Sequence, residues 1–186
     1  MSITRLRELL TKTGVEPAGE DSISKAQVIV THCADLLTDG SAGPGNTLIA
    51  EHAARLRRRF NLPIIAQREI LVAKPDLETI TIVGQAASGG LLPRPANTHT
   101  ICSEQKKVCD EQGWKHVLVV TFPDHMWRAC ETYKKLGLIP IPAPMLGSAR
   151  IYYSAQATRW QLRSRLHYIY FWELPARILF AYRGWI

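Results

Sequence analysis

The sequence lacks any close pair of cysteines: its four, at 33, 102, 109 and 130, have none of the CxxC spacing of a zinc site. It also lacks a secretory leader, since "MSITRLRELLTKTG" has no apolar core to its first residues, so no disulfide framework is expected and the thiols are read as reduced and mostly buried. Uninterrupted apolar runs are missing too. The most apolar stretch, "YIYFWELPARILFAYRGWI", carries Glu173, Arg177 and Arg183 and is broken by Pro175, which argues against a membrane span. These absences make the cytoplasm the expected location. Negative charge is in short supply: 16 Asp and Glu stand against 23 Lys and Arg, and the formal charge of +7 favours anionic partners without naming one.

What is present is enough for a continuous core. With 186 residues, 46% of them hydrophobic, and five Trp, disorder is excluded and one domain over 1–186 is expected. Ile3, Leu6, Leu9 and Leu10 fall at helical spacing, and a polar stretch follows, so residues 1–25 read as a short helix and a linker. Then "QVIVT" (27–31), "LPIIAQ" (62–67), "ETITIVG" (78–84), "HVLVVT" (116–121) and "LIPIP" (138–142) read as strands.

Helices fall between them. One begins near Asn46 or Thr47 as cap and carries Leu48, Ile49, His52, Ala53, Leu56 and Phe60 on its apolar side. A second begins near Asn97 or Thr98, after the Gly- and Pro-rich "GQAASGGLLPRPA". A third runs from about 125 to 136 and stops at Gly137. Residues 150–186 read as a helical extension with a kink at Pro175 and an aromatic face turned to the sheet. Strands that alternate with helical crossovers predict an α/β, Rossmann-like three-layer fold with a mainly parallel sheet and a C-terminal helical segment.

In such sheets ligands lie beyond the carboxyl ends of the strands. "TFPDHMWRA" (121–129) leaves the strongest strand there. Asp124 can cap the following helix, while His125 and Arg128, three apart, share a face. Arg128 can hold a phosphate or carboxylate and His125 can exchange a proton, as the tentative catalytic residue; equally, the three can be a cap, a solvated residue and an exposed charge.

The block "GWKHVLVVTFPDHMWRACETYKKLGLIPIPAP" resembles the signature region of the YdcF/SanA/ElyC family, a bacterial group largely of unknown function. Thr121, His125, Arg128 and Ala129 match its motif, with Asp124 in place of the usual aromatic residue. "NTHTICSEQ", the "AARLRRRFNLPIIA" unit and the closing "ELPARILFAYRGWI" also fit the family's outline. The chain departs from it where glycine-rich turns usually end the first two strands: here these read "THCAD" and "AQRE". The resemblance implies a pocket at the strand ends for an anionic or nucleotide-like small molecule, with S-adenosylmethionine suggested by one relative without a membrane anchor. The residues expected around it are Thr121, Asp124, His125 and Arg128, with Asn97, Thr98 and Glu104 from the neighbouring edge and Thr31, His32 and Cys33 as its floor.

Other constellations are weaker. "GSAGPGNT" (40–47) has Walker-like spacing but no Lys, so it reads as a loop bordering the pocket, from which Asn46 can reach a ligand. A Cys33 nucleophile helped by His125, or a metal on His32, Cys33 and His125, has no supporting pattern. The basic runs at 55–59 and 159–165 read as solvated faces, and no nucleic-acid-binding module accompanies them. The alternative to a binding site is a non-catalytic interaction protein that has kept the fold.

Overall fold

The computed structural model describes residues 7, 9, 11, 15–84, 97–144 and 147–186. Its strands are β1 (Val28–Thr31), β2 (Ile64–Gln67), β3 (Thr81–Val83), β4 (His116–Val120) and β5 (Ile139–Pro142). All pair in parallel, in the order β3-β2-β1-β4-β5. Successive strand residues point to opposite faces, so the β-branched runs serve two cores at once. Ile29, Ile64 and Leu118 belong to one core, and Val28, Val30, Ile65, Val117 and Val119 to the other.

The first core is closed by α1 (Glu20–Ile23), α2 (Pro44–Phe60) and α3 (Arg68–Ala73), through Ile23, Ile49, Ala53, Leu56 and Ile70. The second is closed by α4 (Thr98–Glu111) and α5 (Pro123–Lys135), through Ile101, Cys109, Met126, Ala129 and Tyr133. This is the three-layer Rossmann-like α/β arrangement. The crossover after β1 leads outward over one face and that after β4 over the other. Their starting loops therefore diverge between β1 and β4, which opens a crevice at that point of the carboxyl edge.

Helix starts differ from the sequence reading in two places, and proline is the reason in both. α5 begins at Pro123 with Phe122 as its N-cap, so Asp124 does not cap it. α2 begins at Pro44 after Gly43, ahead of Asn46 and Thr47. Proline's fixed φ and missing N–H suit the first helical position, and it displaces the side-chain caps further along. Asn97 does cap α4, its Oδ1 accepting from the Thr100 N–H at 2.9 Å. The short helix α3 was not anticipated. Arg7, Leu9 and Thr11 are helical, while Ile3, Leu6 and Leu10 and the Gly/Pro-rich stretch 85–96 lie outside the described residues.

The C-terminal extension has two 3-10 turns, Ala149–Tyr152 and Trp160–Arg163, followed by α6 (Arg165–Tyr168), a π turn (Ile169–Glu173) and α7 (Leu174–Tyr182). Pro175 does disturb the helix, but as a widening of the preceding turn, which accommodates its ring and absent N–H. The aromatic face divides. Tyr152, Tyr168 and Phe180 are buried, whereas Tyr170, Phe171, Trp172 and Tyr182 face solvent, contrary to an aromatic face packed on the sheet. Among the described residues no helix is long and apolar enough to cross a membrane.

Candidate functional site

A cavity of about 340 Å³ occupies the crevice beyond β1 and β4. Its floor is His32 and Cys33, which leave β1, with Phe122, His125 and Arg128 from the start of α5. Asn97 and Thr98 approach from the start of α4. The C-terminal segment forms the outer wall, where Phe171, Trp172 and Leu179 meet solvent as well as the cavity. Six of the residues expected at the site line this space: His32, Cys33, Asn97, Thr98, His125 and Arg128.

Arg128 is 3% exposed and each nitrogen of its guanidinium makes a hydrogen bond. Nε donates to Glu173 Oε2 at 3.0 Å, Nη1 to Thr98 Oγ1 at 2.7 Å and Nη2 to the Tyr168 hydroxyl at 3.3 Å. The carboxylate expected from a ligand is thus supplied by the chain itself. Burial by itself pushes the Glu173 carboxyl up, but Arg128 outweighs it and holds the group well below the usual carboxylate range, with His125 and Arg177 adding to the effect. Arg177 Nε donates to the other oxygen, Glu173 Oε1, at 2.8 Å, and its Nη1 to the Leu9 carbonyl at 3.2 Å.

The same network sets the tautomer of His125. The Tyr168 hydroxyl donates its proton to Glu173 Oε2 at 2.9 Å, which assigns His125 Nδ1, 3.3 Å from the Tyr168 oxygen, as donor to it. Nε2 is then the ring's acceptor. Burial lowers the imidazole's pKa to about 4, with Arg128 adding to the effect and Glu173 opposing it. At neutral pH the ring is uncharged. His32 follows the same logic on the other side. Gln105 Nε2 donates to the Thr31 carbonyl, which leaves Gln105 Oε1 to accept from Tyr133, and the Tyr133 oxygen accepts from His32 Nε2 at 2.8 Å. Nδ1 of His32 is the acceptor, and burial, then His125 and Arg128, lower its pKa well below the ordinary value. Two neutral imidazoles, 5.5 Å between centroids and edge to face, thus each carry one acceptor nitrogen in the lining.

Several predicted residues serve the scaffold instead. Asn46 Oδ1 accepts from the Ala34 N–H at 2.7 Å and its amide donates to the Asp35 carbonyl at 2.8 Å, so it braces the turn after β1 and does not border the cavity. Gln67 Oε1 accepts from the Cys33 N–H at 2.9 Å. Together these amides occupy the main-chain donors that a glycine-rich turn would offer to an anion. Thr31 Oγ1 accepts from the Gln67 N–H at 3.1 Å, and Glu104 Oε2 accepts from the Gly84 N–H at 2.7 Å. Asp124, 3% exposed, takes a bidentate hold from Arg165 at 2.8 Å to each oxygen and accepts from the Tyr153 hydroxyl at 2.8 Å. It pins the C-terminal extension to α5. Thr121 is buried with its hydroxyl unpartnered and does not line the cavity.

Cys33 is a half-buried thiol whose pKa is pushed up to about 12, first by burial and then by Glu69, so it is not a thiolate nucleophile. Cys102, Cys109 and Cys130 are buried core thiols. Among the described residues no three His, Cys, Asp or Glu side chains are gathered as metal ligands.

The sequence reading missed the outer half of the site: Glu173, Tyr168, Trp172 and Arg183. A signal existed for Glu173. It is the one acidic side chain between 150 and 186, set among aromatics, which is the pattern of a carboxylate carried inward to a partner. No family model, no curated protein and no solved structure matches the chain.

Proposed function

We propose that the chain is a YdcF-like binding protein that takes an anionic, nucleotide-like small molecule in this cavity. The observation that carries the reading is the composition of the wall: among the described lining residues stand three arginines, Arg128, Arg159 and Arg183, and no carboxylate. Glu173 and Asp35 pair with Arg128 and Arg159 from outside the lining, so among the described residues the cation of the wall that faces an anion is Arg183, exposed and over the Trp185 ring at 4.9 Å. Phe122, Phe171 and Trp172 supply apolar flats for a ring, and the acceptor nitrogens of His32 and His125 suit hydroxyl or amino donors such as those of a ribose or a base. The volume suits a ligand of that size. The match of His125 and Arg128, which line the cavity, to the family motif supports the same place.

The wall favours a phosphate-bearing ligand over S-adenosylmethionine, because a sulfonium gains nothing from neighbouring guanidiniums and finds no carboxylate. As an acid–base group His125 is weak: its lowered pKa keeps it neutral but reduces its pull on a proton. Binding is therefore the better-supported role.

Calorimetric titration with the common ribonucleoside monophosphates and with S-adenosylmethionine tests this. Saturable binding of a nucleotide is expected, weakened about tenfold in Arg183→Gln, which removes an exposed lining cation without disturbing the core. Absence of binding across the panel, or binding indifferent to Arg183→Gln and His125→Gln in folded protein, overturns the reading.

A further inference from the structure

Of the thirteen exposed large hydrophobic side chains among the described residues, eight lie between 160 and 182: Trp160, Leu166, Tyr170, Phe171, Trp172, Ile178, Leu179 and Tyr182. Part of this set is joined by direct contact. Trp160, His167 and Phe171 contact one another at 5.6 to 6.1 Å between ring centroids, which links the 3-10 turn to the helix. Leu166, Tyr170, Ile178 and Tyr182 recur at multiples of four. In an unbroken α-helix that spacing would drift round the axis, but the π turn at Ile169–Glu173 takes up an extra residue and returns the later pair to the same side.

The exposed charge of this segment is of one sign. Arg163 and Arg183 are exposed, and Arg159, just before it, and Arg165 are partly exposed while bound to Asp35 and Asp124. The segment's single acidic side chain, Glu173, is 1% exposed and faces inward. A second copy of the chain placed symmetrically on this surface would bring arginines against arginines with no carboxylate to pair them. Stacked nucleic-acid bases would use the aromatics but leave Leu166, Ile178 and Leu179 in water. A lipid surface satisfies both sets: apolar groups enter the acyl boundary, Trp and Tyr sit at the headgroups, and arginines meet anionic phosphates.

We infer that the face formed by residues 160–183 docks the protein on an anionic membrane surface, lying in the interface plane without crossing it. Because Phe171, Trp172, Leu179 and Arg183 belong both to this face and to the cavity wall, docking sets the cavity mouth at the headgroup level.

Cosedimentation with phosphatidylcholine vesicles, with and without phosphatidylglycerol, is the test. Binding is expected to require phosphatidylglycerol, to weaken as salt is added, and to shift tryptophan emission to the blue. Arg163→Gln should weaken it about fivefold. Tyr170→Ser/Ile178→Ser/Tyr182→Ser should abolish it with an unchanged melting temperature; none of the three side chains lines the cavity, so nucleotide titrations remain as for the parent. No sedimentation at low salt, or sedimentation that the triple variant retains, overturns the inference. So does a face that yields a concentration-dependent dimer or captures an oligonucleotide while leaving anionic vesicles unbound.

Discussion

Arg128 and Glu173, separated by 45 positions, meet as a buried ion pair at 2.9 Å, with side chains 4% and 1% exposed. The arginine leaves the first turns of α5 and the carboxylate comes from the π turn that precedes α7. The contact ties the C-terminal segment across the mouth of the sheet and makes Arg128 part of an internal joint. Arg177 completes it from the next turn of the helix.

Breaking this joint from the acidic side should be costly, because two guanidiniums lose the carboxylate they share in a dry environment. Glu173→Gln is expected to lower unfolding free energy by about 3–5 kcal/mol in urea denaturation. A loss below about 1 kcal/mol would mean that the pair behaves as a surface contact.

Acid should destabilise the fold over a defined window. His125 has a folded pKa of about 4 against an ordinary value of 6.5, so between those values the unfolded chain binds more protons. The stability contributed by the neutral ring is complete above about 6.5 and is lost as pH falls toward about 4, to the extent of roughly 3 kcal/mol. His32 is shifted in the same direction. His125→Gln should flatten the slope of stability against pH between about 6.5 and 4; an unchanged slope would assign it to other groups.

The two ends of the Asp124–Arg165 pair should respond unequally. Asp124 is buried and also accepts from Tyr153, whereas the Arg165 side chain is 41% exposed. Asp124→Ala is expected to cost about 3 kcal/mol, and a double-mutant cycle with Arg165→Ala should return a coupling of about 1–2 kcal/mol. Additive effects would show that the Asp124–Arg165 pair does not help to hold the extension.

Gly45 marks a close approach at the start of α2. A Cβ there would stand 2.8 Å from both the Ala34 Cβ and the Tyr152 carbonyl oxygen, neither of which can swing away. Gly45→Ala should therefore destabilise by about 1–3 kcal/mol in thermal or urea unfolding, despite alanine's better helix propensity.

The layers of this fold were legible because "VIVT", "IIAQ" and "HVLVV" carry their burial on both faces in the residue types themselves. Local propensity was enough wherever local contacts decide, as at Asn97. It failed where a distant group claimed the side chain. Asp124 has the residue type and position of a cap, yet Arg165, 41 positions away, takes its carboxylate. Asn46 has the look of a loop residue near a ligand, yet its amide fills the turn after β1, held by the Ala34 N–H and the Asp35 carbonyl. His125 and Arg128 were placed together from spacing and motif and Thr98 on the neighbouring edge, and Arg128 does reach Thr98. Their carboxylate partner could not be read from spacing, since Glu173 reaches them only through the return of the C-terminal helix.

The central claim is that the cavity accepts a nucleotide beside His125. Nitrogen-15 spectra of the histidine rings at neutral pH, recorded while adenosine monophosphate is titrated in, test it most directly. The account predicts a neutral ring protonated on Nδ1, with the His125 Nε2 resonance moving saturably as the nucleotide binds. A charged His125 at the outset, or Nε2 unmoved while the nucleotide saturates elsewhere on the protein, would contradict it.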